Sequence, residues 1–285
     1  MSRPSIADKR RGFHELHASG CFVIPNPWDV GSALLLQSLG FRALASTSSG
    51  FAWSCGQADG SPAREQVLTH LHTLVDATDV PVNADFMAGF AHDPDGVAAS
   101  VTLAVETGVA GLSIEDSTGD PERPLYDLET ATLRLRAARR AIDRNGGDTL
   151  LVGRAECFLF SHPSLEETIA RLQSYAHAGA DCLYAPGLAS REQIEAVVRA
   201  LAPKPVNVLI GSASGLSVAQ AAAMGVRRIS VGGSLARVAW GALMRAARLL
   251  AEQGSFAGFA DGADGRELNR LFGSLPRPDA GPTPQ

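Results

Sequence analysis

The chain has 285 residues with 30 acidic and 25 basic side chains, a net charge of −5, and this balance excludes any general attraction to nucleic acid. With 45% hydrophobic residues it has material for a large core, and α/β barrels of ~250 residues commonly form one domain. The four cysteines, Cys21, Cys55, Cys157 and Cys182, form no CxxC pair; this excludes the disulfide framework of a small secreted protein and leaves reduced thiols as the expectation.

In chain order, the first twenty residues are polar, lack the apolar stretch of a secretory signal and are expected to hold an N-terminal helix. No later stretch reaches the ~18 apolar residues of a membrane span, so a soluble, cytoplasmic protein with no membrane partner is expected. Eight apolar, β-branched runs then recur at 22–26, 43–47, 80–85, 111–116, 149–156, 181–187, 204–211 and 227–233. Helical spacing of apolar residues predicts helices over 31–39, 64–78, 94–107, 127–145, 164–179, 190–202, 215–224 and 234–253. Start and stop signals agree with them. Ser164 and Glu167 form a capping box, Asp93-Pro94 opens a helix, and Gly40, Gly108 and Gly179 stand where helices end. A last short helix is expected near 262–272, and the Pro-rich tail SLPRPDAGPTPQ is expected to be disordered.

Strict alternation through eight units, with strands too continuously apolar to have a wet face, predicts an α/β fold of the (β/α)₈ TIM-barrel type. The expected organisation is one barrel domain over 1–254, followed by the terminal helix and tail over 255–285.

The C-terminal ends of barrel strands carry chemistry, so each strand can be read for what it delivers there. The first strand delivers Asn26, Trp28 and Asp29; the second opens into Thr47, Ser48, Ser49 and Gly50, then Asp59; the third delivers Asn83 and Asp85. The fourth gives Glu115 and Asp116, the fifth Arg154 and Glu156, the seventh Asn207, and the eighth Gly232-Gly233-Ser234. The sixth strand, ending Tyr184-Ala185-Pro186-Gly187, reads as chemically poor. Carboxylates converging without a matching set of histidines suit Mg²⁺, which prefers oxygen and keeps several waters. Asp85 is the candidate for direct contact, although any one acid alone reads as readily as a helix cap or ion-pair partner. Arg154, set in an apolar strand, is expected to pair with Glu156 or Glu115, to capture a substrate carboxylate, or to do both.

Lysine supplies an exclusion, because Lys9 and Lys204 are the only two and Lys204 precedes the seventh strand, on the far face. A Schiff-base aldolase is thereby ruled out. The histidines His14, His17, His70, His72, His92, His162 and His177 read as solvated surface groups, with only His92 and His162 near the rim.

The segments NPWDVGSALLLQSLGFRALASTSSGFAWSCGQADG at 26–60, NADFMAGF at 83–90, GLSIEDS at 111–117 and GRAE at 153–156 resemble the isocitrate lyase/phosphoenolpyruvate mutase superfamily. The resemblance implies a barrel whose last helix is swapped between the subunits of a homodimer or homotetramer. It implies Mg²⁺, with Mn²⁺ as a substitute, held directly by Asp85 and through water by Asp59 and Glu115. It also implies that Ser48, Ser49 and Gly50, with the Trp28-Asp29 neighbourhood, bind one end of an α-oxo acid while Arg154 grips its acidic group. The implied chemistry makes or breaks a C–C or C–P bond beside an α-oxo carboxylate through a metal-bound enolate.

Three departures from the family pattern stand out. Met87 occupies the place of a second acid, and loop 117–127 reads STGDPERPLYD where isocitrate and methylisocitrate lyases carry Lys-Lys-Cys-Gly-His. The loop asparagine and the histidine after the sixth strand that phosphonate enzymes use are absent as well. The expectation is a Mg²⁺-dependent lyase for a small α-oxo or α-hydroxy dicarboxylic acid, oxaloacetate-, methylisocitrate- or dimethylmalate-like. The alternatives are a C–P bond enzyme and a non-catalytic 2-oxo acid binding protein. The proton donor stays open among Glu115, Tyr126, Tyr184 and a metal-bound water.

Overall fold

Strands that are apolar on both faces can be buried only where helices cover the sheet, and parallel pairing with helical crossovers provides that cover. The computed structural model, which describes residues 3–160, 164–213 and 215–274, has this arrangement. The strands are β1 (Phe22–Ile24), β2 (Leu44–Ala45), β3 (Val82–Asp85), β4 (Gly111–Glu115), β5 (Leu150–Arg154), β6 (Cys182–Tyr184), β7 (Val206–Leu209) and β8 (Arg228–Ser230). They pair in parallel in the order β1-β8-β7-β6-β5-β4-β3-β2. Between β1 and β2 the Ala45 amide donates to the Pro25 carbonyl at 3.0 Å, so the sheet is a nearly closed barrel of the TIM type.

The helices are α1 (Ile6–Ala18), α2 (Val30–Ser38), α3 (Ser48–Ser54), α4 (Arg64–Ala77), α5 (Pro94–Glu106), α6 (Leu128–Arg144), α7 (Leu165–His177), α8 (Arg191–Leu201), α9 (Val218–Ala223), α10 (Ser234–Gln253) and α11 (Gly265–Ser274). Each helix expected from spacing is present within a few residues of its predicted ends. Helix α3 is an addition that the apolar spacing did not predict, and Ser-Ser-Gly at its start has weak helix propensity. Here Thr47 caps the turn, its hydroxyl accepting from the Gly50 amide at 3.3 Å. Gly50 also lets the helix press close: a Cβ there would stand 2.7 Å from the Thr47 methyl and 3.0 Å from the Trp28 Cβ. The predictions for His162 and the Pro-rich tail fall outside the described residues.

Helix α1 closes the N-terminal end of the barrel, packing Phe13 and Leu16 against Phe22, Ile24, Ala110 and Leu150. Gly111 is what allows this approach, since a Cβ would lie 2.7 Å from the Phe13 ring. Above the plug lies a polar layer. Arg228 donates from Nε to Asn207 Oδ1 at 2.8 Å and from Nη1 to Asn83 Oδ1 at 3.3 Å and His17 Nε2 at 3.4 Å. His17 in turn donates from Nδ1 to the Phe13 carbonyl at 2.8 Å, which assigns it the neutral tautomer.

The structure corrects the solvated reading for two histidines. His17 is 8% exposed, and His70 stacks on Phe51 with its Nε2 buried and without a hydrogen-bond partner. Burial, reinforced by the Arg228 charge, holds His17 down to about 3, and burial holds His70 down to about 4. Sequence spacing cannot reveal this, because α1 caps the barrel end instead of lying on its outside. For His17 the unfolded chain takes up a proton near pH 6.5 while the folded chain resists, so stability falls by about 1.4 kcal/mol per pH unit below that point. The loss levels off near pH 3. Urea unfolding should therefore show wild type losing about 2 kcal/mol more than His17→Asn between pH 7 and pH 5; parallel losses would refute the assignment.

Among the described residues no helix is long and apolar enough to cross a membrane. The four cysteines are free. Lys9 is spent on the carbonyls of Val75 and Thr78, and Lys204 on that of Ala180 at 2.9 Å.

Candidate active site

Alternation along the strands decides which side chains enter the barrel. At its C-terminal mouth lies a cavity of about 190 Å³, lined by Ser46, Ser48, Ser49, Asp59, Asp85, Arg154, Tyr184, Asn207 and Ser230 among others. Glu115, Arg154 and Tyr184 are in register on β4, β5 and β6.

Asp85 is held from three sides. Its Oδ2 accepts from the Ser48 amide at 2.9 Å, its own amide donates to Ser46 Oγ at 2.9 Å, and its Oδ1 lies 3.3 Å from Arg154 Nη1. Arg154 is the hub: Nη1 also meets Glu115 Oε2 at 3.1 Å, and Nε donates to Glu156 Oε1. Burial opposes the guanidinium charge, yet Glu115, Tyr184, Glu156 and Asp85 around it raise its pKa well above the ordinary value. The carboxylates are worse served. Burial pushes Glu115 and Glu156 upward, Arg154 pulls them down, and neighbouring carboxylates push them up again. Three acids sharing one guanidinium leave surplus negative charge, which a proton or a cation must relieve.

That surplus is the test of whether a metal suits the site. Among the described residues no three His, Cys, Asp or Glu side chains converge into a complete cage. Mg²⁺ does not need one, since one or two carboxylates plus waters and substrate oxygens suffice. Asp85, with Asp59 across the same cavity and Glu115 beside Arg154, is a donor set of the right hardness and charge.

The cavity gathers Ser48, Ser49, Asp59, Asp85, Arg154 and Asn207. Asn207 is fully buried and committed to Arg228 and to Ser230 Oγ at 3.0 Å, so its place is in the wall. Three predicted substrate contacts lie outside the cavity. Asp29 is exposed and caps α2, accepting from the Ser32 amide at 2.6 Å. Trp28 lines a separate groove with Asp29 and Phe51, and Gly50 is buried within α3. Asp116, next to Glu115, points the opposite way by strand alternation and is 2% exposed. There it accepts from the Glu156 amide at 2.9 Å, Arg171 Nη1 at 3.1 Å and Tyr175 Oη at 2.5 Å.

The reading of the sixth strand as chemically poor is also corrected: Tyr184 faces inward, lines the cavity and lies under the Arg154 guanidinium, 5.1 Å from Cζ to ring centroid. Counting by twos from buried Cys182 places it there. Ser46 and Ser230 likewise enter the cavity unannounced by any motif. A larger space of about 730 Å³ opens at loop 117–127 beside His92, Tyr126 and Arg171. None of Asp59, Asp85 and Glu115 lines it, and Arg171 is already paired with Asp116 and Glu167.

A pocket at the C-terminal mouth of a (β/α)₈ barrel, lined by Asp59 and Asp85 and organised around half-buried Arg154, is the arrangement of a barrel enzyme. The profile of the phosphoenolpyruvate phosphomutase family matches residues 13–251, and the chain belongs to the isocitrate lyase/phosphoenolpyruvate mutase superfamily. A crystal structure from Burkholderia cenocepacia J2315, provisionally described as a lyase/mutase, is 44% identical with a TM-score of 0.91, covering 94% of this chain and 98% of that one. The crystal structure of a 2,3-dimethylmalate lyase is 30% identical with a TM-score of 0.82 over 96% and 95% of the two chains. An uncharacterised Mycobacterium tuberculosis protein is 32% identical over 222 residues, 77% of this chain and 81% of its own.

Proposed function

We propose that the chain is a Mg²⁺-dependent lyase that cleaves, or in reverse forms, a C–C bond beside an α-oxo carboxylate in a small dicarboxylic acid. The observation that carries this reading is the meeting of Asp85, Glu115 and Arg154 at one mouth of the barrel, together with membership of a family that includes a dimethylmalate lyase. Asp85 would hold the metal directly, with Asp59 and Glu115 through water; Mn²⁺ would serve in its place. When bound, such an ion supplies Lewis-acid stabilisation of the negative charge left on the oxo-acid oxygens as the bond breaks.

The chain's own groups do the rest. The Ser48 amide and Arg154 each hold one oxygen of the Asp85 carboxylate, so it is preorganised, while the Ser46 hydroxyl fixes the Asp85 backbone by accepting from its amide. Arg154 presents a planar, permanently charged fork at the cavity wall and binds a substrate carboxylate. Ser48 and Ser49 contact the other end of the acid, and the ~190 Å³ volume limits the substrate to a small one. Turnover of a panel of oxaloacetate, isocitrate, methylisocitrate, 2,3-dimethylmalate and phosphonopyruvate tests the reading, with Mg²⁺ and with EDTA. Cleavage that EDTA leaves unchanged would refute it; 2-oxo acid binding without turnover would favour a binding protein, and turnover of phosphonopyruvate alone a C–P enzyme.

The same reading includes a homodimer or homotetramer built on α10. Of its twenty residues Ala236 alone is buried, while Val238, Leu243, Met244 and Leu250 stand exposed, an apolar surface that packing against another copy would cover. Sedimentation should give at least a dimer, and Leu243→Glu should shift it toward monomer; a monomeric wild type would refute this part.

A further inference from the structure

We propose that Tyr184 is the catalytic acid of this site, its phenol delivering the proton to the carbon that keeps the electron pair when the C–C bond breaks. The inference rests on the lyase reading above and adds to it the group that the loop sequence fails to supply.

Four observations converge on this residue. Tyr184 is 8% exposed and lines the same cavity as Asp85 and Arg154. Its ring lies under the Arg154 guanidinium, so a carboxylate gripped by Arg154 sits next to the phenol. Its hydroxyl is hydrogen-bonded to Ser230, which lines the same cavity. Burial, with Arg154 opposing, pushes its pKa up to about 12, so the phenol carries its proton at neutral pH.

The other candidates are engaged or misplaced. Glu115 and Glu156 are held by Arg154, and neither is among the residues that line the cavity. Tyr126 is turned toward His92, whose Nδ1 is 2.6 Å from its Oη. The cavity's remaining hydroxyls are aliphatic, and a phenol is a far stronger acid. Cys182 is fully buried on the same strand.

The step balances as follows. In a 2-oxo acid that loses carbon dioxide the electron pair of the broken bond remains on the 2-oxo acid fragment as its enolate. In a 2-hydroxy acid the hydroxyl proton passes to water, the 2-oxo acid leaves as the carbonyl product and the pair remains on the other acid as its enolate. In both, the Tyr184 O–H bond breaks as a new C–H bond forms on the carbon that holds the pair. The phenolate is restored by a proton from water. In the bond-forming direction the phenolate removes the same proton.

The test is Tyr184→Phe, which removes only the hydroxyl. It uses the panel member that wild type cleaves, in a form whose electron-pair-keeping carbon bears a methyl group, in D₂O. Wild type should give a product deuterated with a single configuration at that carbon. Tyr184→Phe should lose 100-fold or more in kcat with KM and oxalate binding within about threefold, and give a mixture of configurations, because the released enolate is protonated by solvent. A merely structural tyrosine would change rate or KM without changing configuration. Retained kcat, a single configuration from the variant, or lost oxalate binding would each overturn the assignment while leaving the lyase reading intact. No cleavage of any panel member by wild type would overturn both.

Discussion

Asp85→Ala should abolish binding of Mn²⁺ to the protein and lower kcat/KM by about 1000-fold or more, the effect of removing several kcal/mol of transition-state stabilisation. The argument is electrostatic. The Asp85 carboxylate lines the cavity and is oriented by the Ser48 backbone amide on one oxygen and by Arg154 on the other, so its loss removes the anchor around which Asp59 and Glu115 could act through water. The fold should survive, because Arg154 keeps Glu115 and Glu156 as partners. Arg154→Gln separates the two functions of the site: Mn²⁺ binding should persist while affinity for oxalate and turnover are lost. Calorimetric titration of each variant with MnCl₂ and then oxalate reads both effects. Mn²⁺ binding by Asp85→Ala at wild-type affinity would remove the basis of the proposed metal site.

The second large effect is on stability. Asp116→Ala should cost about 3–5 kcal/mol, since it takes from buried Arg171 one of its two acid partners, leaving Glu167, and leaves the Tyr175 hydroxyl and Glu156 amide without their acceptor. Burial pushes the Asp116 carboxyl up, and the bonds from Tyr175, the Glu156 amide and Arg171 pull it back. The network thus holds a charge that the surroundings would otherwise reject. At about 2–4 °C per kcal/mol for a chain of this size, the melting midpoint should fall by roughly 6–20 °C. Activity should fall too, because the Glu156 amide is tied to Asp116 while its carboxylate braces Arg154. Asp116→Asn should lose less, keeping an acceptor for Tyr175 or the amide. A drop below about 1 kcal/mol for Asp116→Ala would show the network to be dispensable.

These two neighbours, Glu115 and Asp116, mark the limit of what linear reading could do. Both end the same apolar run, and both read as rim acids. One enters the mouth and the other a buried knot against α7, because successive strand residues face opposite sides and the sequence does not state which parity faces inward. Asp29 is a similar case: its position just before a helix left both a cap and a substrate contact readable, and the structure shows the cap.

The sequence by itself determined the eight-unit rhythm, hence the barrel, and the identity of its functional end. Apolar period and helix punctuation are local properties, and eight parallel strands with outer helices have few ways to bury both faces. It also singled out Asp85 as the acid for a metal and Arg154 as a charge in an apolar strand that must be paired, with Glu156 or Glu115 as the expected partners. Only the tertiary structure decided that Tyr184 belongs to the cavity, that His17 is sealed in beneath Arg228, and that Ser48 begins a helix whose amide holds Asp85. Those facts depend on contacts between residues dozens to hundreds of positions apart, created when the sheet curls round on itself.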